Sequence, residues 1–253
     1  MPEPTLELAE AAARAAGEFL RNTAEFRVDS SAGRDIKLST DRESERIIIE
    51  LLSGTGITIL SEERGEIDEG TDLRWIIDPL DGTANFWRGM RDLCCVSIAL
   101  WRGDEPLLGV VYRFDRDEMY SGVVGKGSWM NGAPIATSAT ESLSDAFLIT
   151  GFPVHSDFSR EGIGEFLSAA SKFKKVRMLG AAALMGSLVA AGKADVYSEK
   201  GIMLWDIAAS TAIVLAAGGS ASLEIHDDRT CDCRLFANKS LESEYNAQIV
   251  RIL

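Results

Sequence analysis

Trp75-Ile76-Ile77-Asp78-Pro79-Leu80-Asp81-Gly82-Thr83-Ala84-Asn85-Phe86 reads as an apolar strand that runs into two carboxylates and a Gly-Thr turn. Trp and Ile favour strands and Pro79 has no N–H for a sheet ladder, so the strand is expected to stop at or just after Asp78. Gly82 lets the backbone approach a ligand closely. A helix-like turn opening at Thr83 points free N–H groups outward, where they favour an anion. Two acids beside such a turn repel an anion unless cations lie between them, so the stretch calls for divalent metals and a phosphate.

Working outward, the run 57–60 is a second short strand, and it too ends in acids, Glu62 and Glu63. Upstream, Leu6, Ala9, Ala13, Ala16, Phe19 and Leu20 recur at helical spacing and predict a helix over 5–26. Residues 27–38 are polar, with Ser30, Ser31 and Gly33, and read as an irregular, mobile segment. Thr40 and Glu43 match a capping box that opens a helix through Ile47, Ile48, Leu51 and Leu52. Asp41 falls in its first turn, where its local role is to stabilise the helix dipole by about 0.3–1 kcal/mol.

Downstream, strands are expected over 93–100, 107–113 and 118–124, with a hairpin across 114–117 and a tight turn at Asn131-Gly132. An antiparallel meander then gives way to an α/β pattern. The boundary near 138–144 divides the chain into an N-terminal α+β half, 1–140, and a C-terminal α/β half, 141–253. In the second half, helices are expected over 161–171, 181–191, 205–217 and 242–253, and strands over 146–150, 176–179, 196–199, 221–225 and 235–238. Asp206 opens the apolar helix 205–217 with no basic residue near it in sequence, so it needs a distant partner.

A formal net charge of −13 argues against broad binding to nucleic acid or to an anionic membrane, since both need a basic face. Cys94, Cys95, Cys231 and Cys233 form neither a disulfide framework nor paired zinc spacing, and read as reduced intracellular thiols. The start, Met1-Pro2-Glu3-Pro4, lacks the apolar region of a signal peptide, and the weakly polar run 179–191 is too short to span a membrane. A cytoplasmic protein is expected. His155 and His226, the only histidines, form no metal cluster, and no Ser-His or Cys-His nucleophile has local support.

The nonapeptide Asp78 to Phe86 resembles the D-P-x-D-G-T-x-N-F signature of the inositol monophosphatase family, which includes archaeal-type fructose-1,6-bisphosphatases. Further segments match in order: Asp35-x-Lys37-x-Ser39-Thr40-Asp41, Glu62-Glu63, Gly125-x-Gly127 with Asn131-Gly132, Gly192-x-Ala194-Asp195, and Trp205-Asp206-x-Ala208-Ala209. The resemblance implies a layered α-β-α-β-α sandwich, α/β in the broad sense (α+β), with its first sheet largely antiparallel. It implies a lithium-sensitive phosphatase needing two or three Mg2+ ions per site, with Mn2+ able to substitute, and a homodimer.

By the same resemblance, Glu62, Asp78 and the Leu80 carbonyl would hold the first metal, and Asp78, Asp81 and Asp206 the second. A third, weaker metal would rest on Glu62 and waters. Thr83, hydrogen-bonded to Asp41, would orient and help deprotonate the attacking water. The Gly82 and Thr83 N–H groups would hold phosphate oxygens, while Glu199 and the backbone of Gly180, Ala181 and Ala182 would meet the substrate. Two departures stand out: Ser30, Ser31 and Arg34 occupy the loop where relatives often carry a lysine, leaving Lys37 the nearest, and Ala181 replaces a hydroxyl residue.

The expected substrate is a small sugar or polyol phosphate, inositol 1-phosphate first. Fructose 1,6-bisphosphate comes second if Lys172, Lys174, Lys175 and Arg177 meet a second phosphate instead of forming a solvated face. A 3'-phosphonucleotide or histidinol-phosphate phosphatase, or a regulatory binding protein on the same scaffold, are the alternatives.

Overall fold

A computed structural model of the chain describes residues 5–32, 35–153, 156–226 and 229–249, with backbone only at 31, 32 and 35. Gly33, Arg34, His155 and the end of the expected C-terminal helix, 250–253, lie outside the described residues, as does the side chain of Asp35.

The Ala-rich stripe forms α1 (Leu6–Asn22), capped by Thr5, whose hydroxyl accepts from Leu8 N at 3.2 Å. Residues 27–38 differ from the expectation of irregular chain, because Val28–Ala32 (β1) and Asp35–Leu38 (β2) pair as an antiparallel ribbon. The helix that follows, α2 (Ser39–Leu52), is not opened by a Thr40–Glu43 capping box. Asp41 takes the Leu38 N–H at 2.7 Å, while Glu43 pairs with Arg46 on the surface. Small Ala9, Ala12, Ala13 and Ala16 let α1 lie close to α2, whose Ile48 and Leu52 are buried in the same apolar cluster.

Strands β3 (Thr58–Ser61), β4 (Gly65–Ile67), β5 (Leu73–Asp81), β6 (Cys95–Arg102), β7 (Glu105–Arg113), β8 (Glu118–Val123), β9 (Gly127–Met130) and β10 (Ala133–Ile135) form one sheet in the order β10-β9-β8-β7-β6-β5-β3-β4. Only the β3–β5 pair is parallel. A five-residue helix, α3 (Thr83–Trp87), follows β5. Asn131 and Gly132 take φ of 48° and 78°, the left-handed pair that an Asn-Gly hairpin demands. Period-two alternation sorts β6: Val96, Ile98 and Leu100 pack towards α1 and α2, Cys95, Ala99 and Trp101 towards the other face.

The second sheet holds β11 (Phe147–Ile149), β12 (Lys175–Arg177), β13 (Val196–Met203), β14 (Ser220–Ile225) and β15 (Thr230–Phe236) in the order β12-β11-β13-β15-β14. Helices α4 (Arg160–Ala170), α5 (Ala182–Ala190), α6 (Leu204–Ala216) and α7 (Lys239–Gln248) complete the chain. Helices α5 and α6 are apolar all round because they are sandwiched between the two sheets, in a cluster that takes Ala99, Trp101 and Val111 from one and Tyr197, Cys233 and Leu235 from the other. Helix 181–191, which sequence left as core or interface, is therefore core. Helices α4 and α7 cover the outer face through Ala169, Leu241 and Tyr245. The layers run α-β-α-β-α, as expected. Among the described residues no helix is long and apolar enough to cross a membrane.

Gly109 on β7 shows how tightly the middle layers meet: a β-carbon there would lie 2.1 Å from Ala209 O on α6. Backbone cannot yield as a side-chain tip can, so Gly109→Ala is expected to destabilise the protein by roughly 3 kcal/mol, measured by urea denaturation.

Candidate active site

The strand β5 does not stop at Asp78 as expected but continues through Pro79 to Asp81. Asp78 pairs with Ser97 and Asp81 with Cys95, so three steps on β5 oppose two on β6: one extra residue bulges out. Pro79 fits there because a bulge leaves one N–H outside the ladder. The bulge also decides the chemistry. In an unbroken strand, residues three apart point to opposite faces. Here Leu80 joins the α1–α2 side with Ile77, and both Asp78 and Asp81 stand opposite residues of the α5–α6 side of β6. Both carboxylates are buried, at 2% and 6% exposure.

Asp81 is spent largely on α5. Its two oxygens accept from Ala182 N at 3.0 Å, Ala183 N at 2.8 Å and Leu184 N at 3.4 Å, and the Cys95 thiol donates to it at 3.3 Å. Ala181, the residue before the helix, has no side chain that could cap it, so the cap comes from the other sheet. Burial still pushes the Asp81 carboxyl up to about 6 against these hydrogen bonds.

Asp78 is pushed well above the usual carboxylate range by burial first, then by Glu62, Asp81 and Asp206. Its Oδ1 accepts from Leu80 N at 3.0 Å. Asp206, in the first turn of α6, is raised by burial and by Asp81, Glu62 and Glu199, and shares a hydrogen bond with Asp78. That is the distant partner its sequence position required. Glu62 follows β3 directly, and its N–H donates to Ile77 O at 3.3 Å.

Sequence reasoning missed the residue that shapes the Glu62 turn. Glu45 of α2 is buried and accepts from Glu63 N at 3.2 Å, Arg64 N at 3.0 Å and the Ser61 hydroxyl. The signal was there to read: Glu45 falls on the same helical face as Asp41, Ile48 and Leu52, and a charge on a core-facing stripe needs a job. Asn85 does similar work for the other wall, donating to Leu179 O at 2.8 Å and Leu93 O at 3.0 Å.

Gly82 takes φ 89°, and a β-carbon there would lie 2.9 Å from Leu93 O, so both conformation and space require glycine. Thr83 donates its hydroxyl to Leu80 O at 3.0 Å and not to Asp41. Asp41, 3% exposed, keeps Oδ1 without a hydrogen-bond partner and is pushed up to about 7 by burial, with the Leu38 N–H opposing.

One cavity of about 620 Å³ gathers these groups. Glu62, Asp78, Leu80, Asp81, Thr83 and Asp206 line it, as do Gly82, Gly180, Ala181, Ala182 and Glu199. Asp41 stands outside the lining. Glu199 is 6% exposed with Oε1 unpartnered, and burial, then Asp81, pushes it up to about 8. Lys37 is the one basic side chain among the described lining residues, and it pairs with Glu63 at 2.8 Å.

The run Lys172, Lys174, Lys175 and Arg177 does not line the cavity; Lys174 pairs with exposed Asp145 at 3.4 Å and Arg177 lies over the Phe147 ring. His226 faces Asp232 at 3.6 Å, away from the cavity. All four cysteines are free and buried.

The donor set suits a hard divalent cation: carboxylate and carbonyl oxygens, crowded enough to repel one another. Among the described residues no three ligating side chains already surround a common point. Asp78 and Asp206 instead lie near enough for the charge of Asp206 to raise the Asp78 carboxyl, as Glu62 and Asp81 also do. A cation relieves the same repulsion, so the residues fit one.

A five-layer sandwich brings acids from β5, the turn after β3 and α6 to one cavity, a donor set that suits a hard divalent cation. The chain belongs to the inositol monophosphatase family, whose model matches residues 1–234. It is similar to an inositol-1-monophosphatase of Mesorhizobium japonicum, 38% identical over 195 residues, covering 74% of this chain and 72% of that protein. A Nus factor SuhB of Pasteurella multocida is 35% identical over 227 residues, covering 85% of this chain and 84% of that one. Among solved structures, the extragenic suppressor protein suhB of Bartonella henselae superposes with a TM-score of 0.82 at 29% identity, covering 97% of this chain and 96% of that one.

Proposed function

We propose that the chain is a Mg2+-dependent phosphomonoesterase acting on a small sugar or polyol phosphate, inositol 1-phosphate first. The observation that carries this reading is the convergence of Glu62, Asp78, Asp81 and Asp206 with Gly82 and Thr83 in one cavity of a family of phosphatases. Glu62, Asp78 and the Leu80 carbonyl would hold one ion, Asp78, Asp81 and Asp206 a second, and Glu62 with waters a third. When bound, such ions neutralise a phosphate dianion and acidify water, which phosphate monoesters need because their uncatalysed hydrolysis is among the slowest known.

The chain's own residues do the positioning. Gly82 and Thr83 offer backbone N–H groups to phosphate oxygens. Thr83 would orient the attacking water after its hydroxyl turns from Leu80 O towards Asp41, whose Oδ1 is the unpartnered buried acceptor. Glu199, also unpartnered, would accept from a substrate hydroxyl, beside the backbone of Gly180, Ala181 and Ala182. Nothing in the basic run favours a bisphosphate, since it lies off the cavity. The reading extends to a homodimer, on family precedent, and to the cytoplasm, where four free buried thiols are at home.

The test is phosphate release from inositol 1-phosphate, fructose 1,6-bisphosphate, a 3'-phosphonucleotide and histidinol phosphate, with Mg2+, with Mn2+ and after chelation. Hydrolysis of inositol 1-phosphate is expected with either ion, falling to background on chelation and returning with added Mg2+. Turnover that survives thorough chelation would remove the metals from the mechanism. No turnover of any substrate would favour a regulatory binding role, the second reading, which similarity to a Nus factor SuhB supports.

A further inference from the structure

Part of the cavity wall is apolar, and one residue in it stands out. Phe152 lines the cavity and is 37% exposed, although Phe is ordinarily buried. Its ring is braced by two others, Phe158 at 5.1 Å and Phe166 at 4.8 Å between centroids, neither of which lines the cavity. The backbone beside it is fixed as well. Thr150 N donates to Arg177 O at 2.9 Å and its hydroxyl to Ser198 O at 2.6 Å. Gly151 passes so close to Glu199 that a β-carbon would lie 2.7 Å from Oε1, the unpartnered oxygen.

An aromatic ring is thus held one residue from the point where the chain touches the Glu199 carboxyl, whose Oε1 has no hydrogen-bond partner. The pair suits a ligand with hydroxyls at its rim and a flat patch of C–H groups. A six-membered polyol ring has that shape, because its equatorial hydroxyls radiate outward and leave a C–H face for an aromatic surface. An acyclic polyol shows no such face until its torsions are frozen, at a cost in entropy.

We propose that Phe152 is a specificity-determining residue that selects ring-shaped polyol phosphates, packing against the C–H face of a ring whose hydroxyl meets Glu199. The proposal rests on the phosphatase reading above. Because such contact is made equally in ground and transition states, its removal raises KM and leaves kcat alone.

The experiment compares Phe152→Ala, Phe152→Leu and Phe152→Trp with wild type on inositol 1-phosphate and on acyclic glycerol 2-phosphate, with thermal melts of each. The Ala and Leu variants are expected to raise KM for inositol 1-phosphate by about tenfold, with kcat within about twofold. Glycerol 2-phosphate kinetics should stay within about twofold of wild type, and Trp should keep the ring preference. Leu keeps apolar bulk, so it remains informative if Ala unfolds. An unchanged KM for the ring substrate, or equal losses on both substrates, overturns the proposal. A wild type that hydrolyses neither these esters nor any substrate of the panel above overturns the phosphatase reading itself, which is a different result.

Discussion

Replacing Asp78 with Asn is expected to lower kcat/KM for inositol 1-phosphate by about three orders of magnitude and, at the same time, to raise the thermal midpoint of the metal-free protein by a few degrees. The two effects have one cause. Asp78 is 2% exposed, faces Glu62, Asp81 and Asp206, and accepts from Leu80 N at 3.0 Å. Without a cation those acids repel, and folding must protonate or strain them. Asn keeps the shape and the carbonyl oxygen while removing the charge, so the metal-free fold gains. It loses the anionic ligand shared by both proposed ions, so added Mg2+ should lift its melting temperature far less than that of wild type. Calorimetry with and without Mg2+, beside the phosphate assay, checks both halves. A variant that keeps the wild-type rate, or that gains as much stability from Mg2+, would remove Asp78 from the ion site.

The second large effect is a fall in stability of the metal-free protein between about pH 5 and pH 8.5. Burial raises the folded-state values of Asp41 to about 7 and Glu199 to about 8, whereas in the unfolded chain both titrate near 4. Between those limits the folded state holds more protons than the unfolded one, so stability decreases as pH rises. The contribution is present in full below the unfolded values and lost as pH passes the folded ones. Each group carries a shift of about three units, an upper bound of roughly 4 kcal/mol. Together they imply a drop in thermal midpoint on the order of 10 °C. Melts across that range are the check, and a double variant, Asp41→Asn with Glu199→Gln, should make the curve shallower, with Asp78, Asp81 and Asp206 still contributing in the same direction. A wild-type midpoint that rises with pH would show that these carboxyls do not sit protonated in the fold.

Much of the site was legible because its residues come in short, contiguous runs. Glu62, just past β3, and Asp78, inside β5, are visible as acids that interrupt apolar sequence, and Asp206 as a charge on an otherwise apolar helix. What escaped was geometry set by pairing between distant segments. Pro79 rightly signals a missing ladder bond, but sequence does not say that β6 tolerates a bulge and lets β5 run on to Asp81. The ribbon β1–β2 was hidden by polar residues, since a two-stranded ribbon with little to bury lacks the apolar alternation that marks a strand. Thr40 and Glu43 satisfy the capping pattern, yet Asp41 lies nearer the first N–H and takes it. That choice follows from how the helix is entered, which depends on β2. The layer order was legible only through resemblance; periodicity showed apolar helices without showing that two sheets enclose them.

The cap that Asp81 places on α5 ties together events usually considered apart. A helix whose first three amides are held by a side chain a hundred residues earlier takes its cap from the first sheet and not from its own sequence. The dependence runs both ways: without α5, Asp81 would keep only the Cys95 thiol among these donors, and the cavity would lack one wall. One carboxylate thus joins the stability of a helix to the shape of the cavity, so a change at Asp81 would be felt in both.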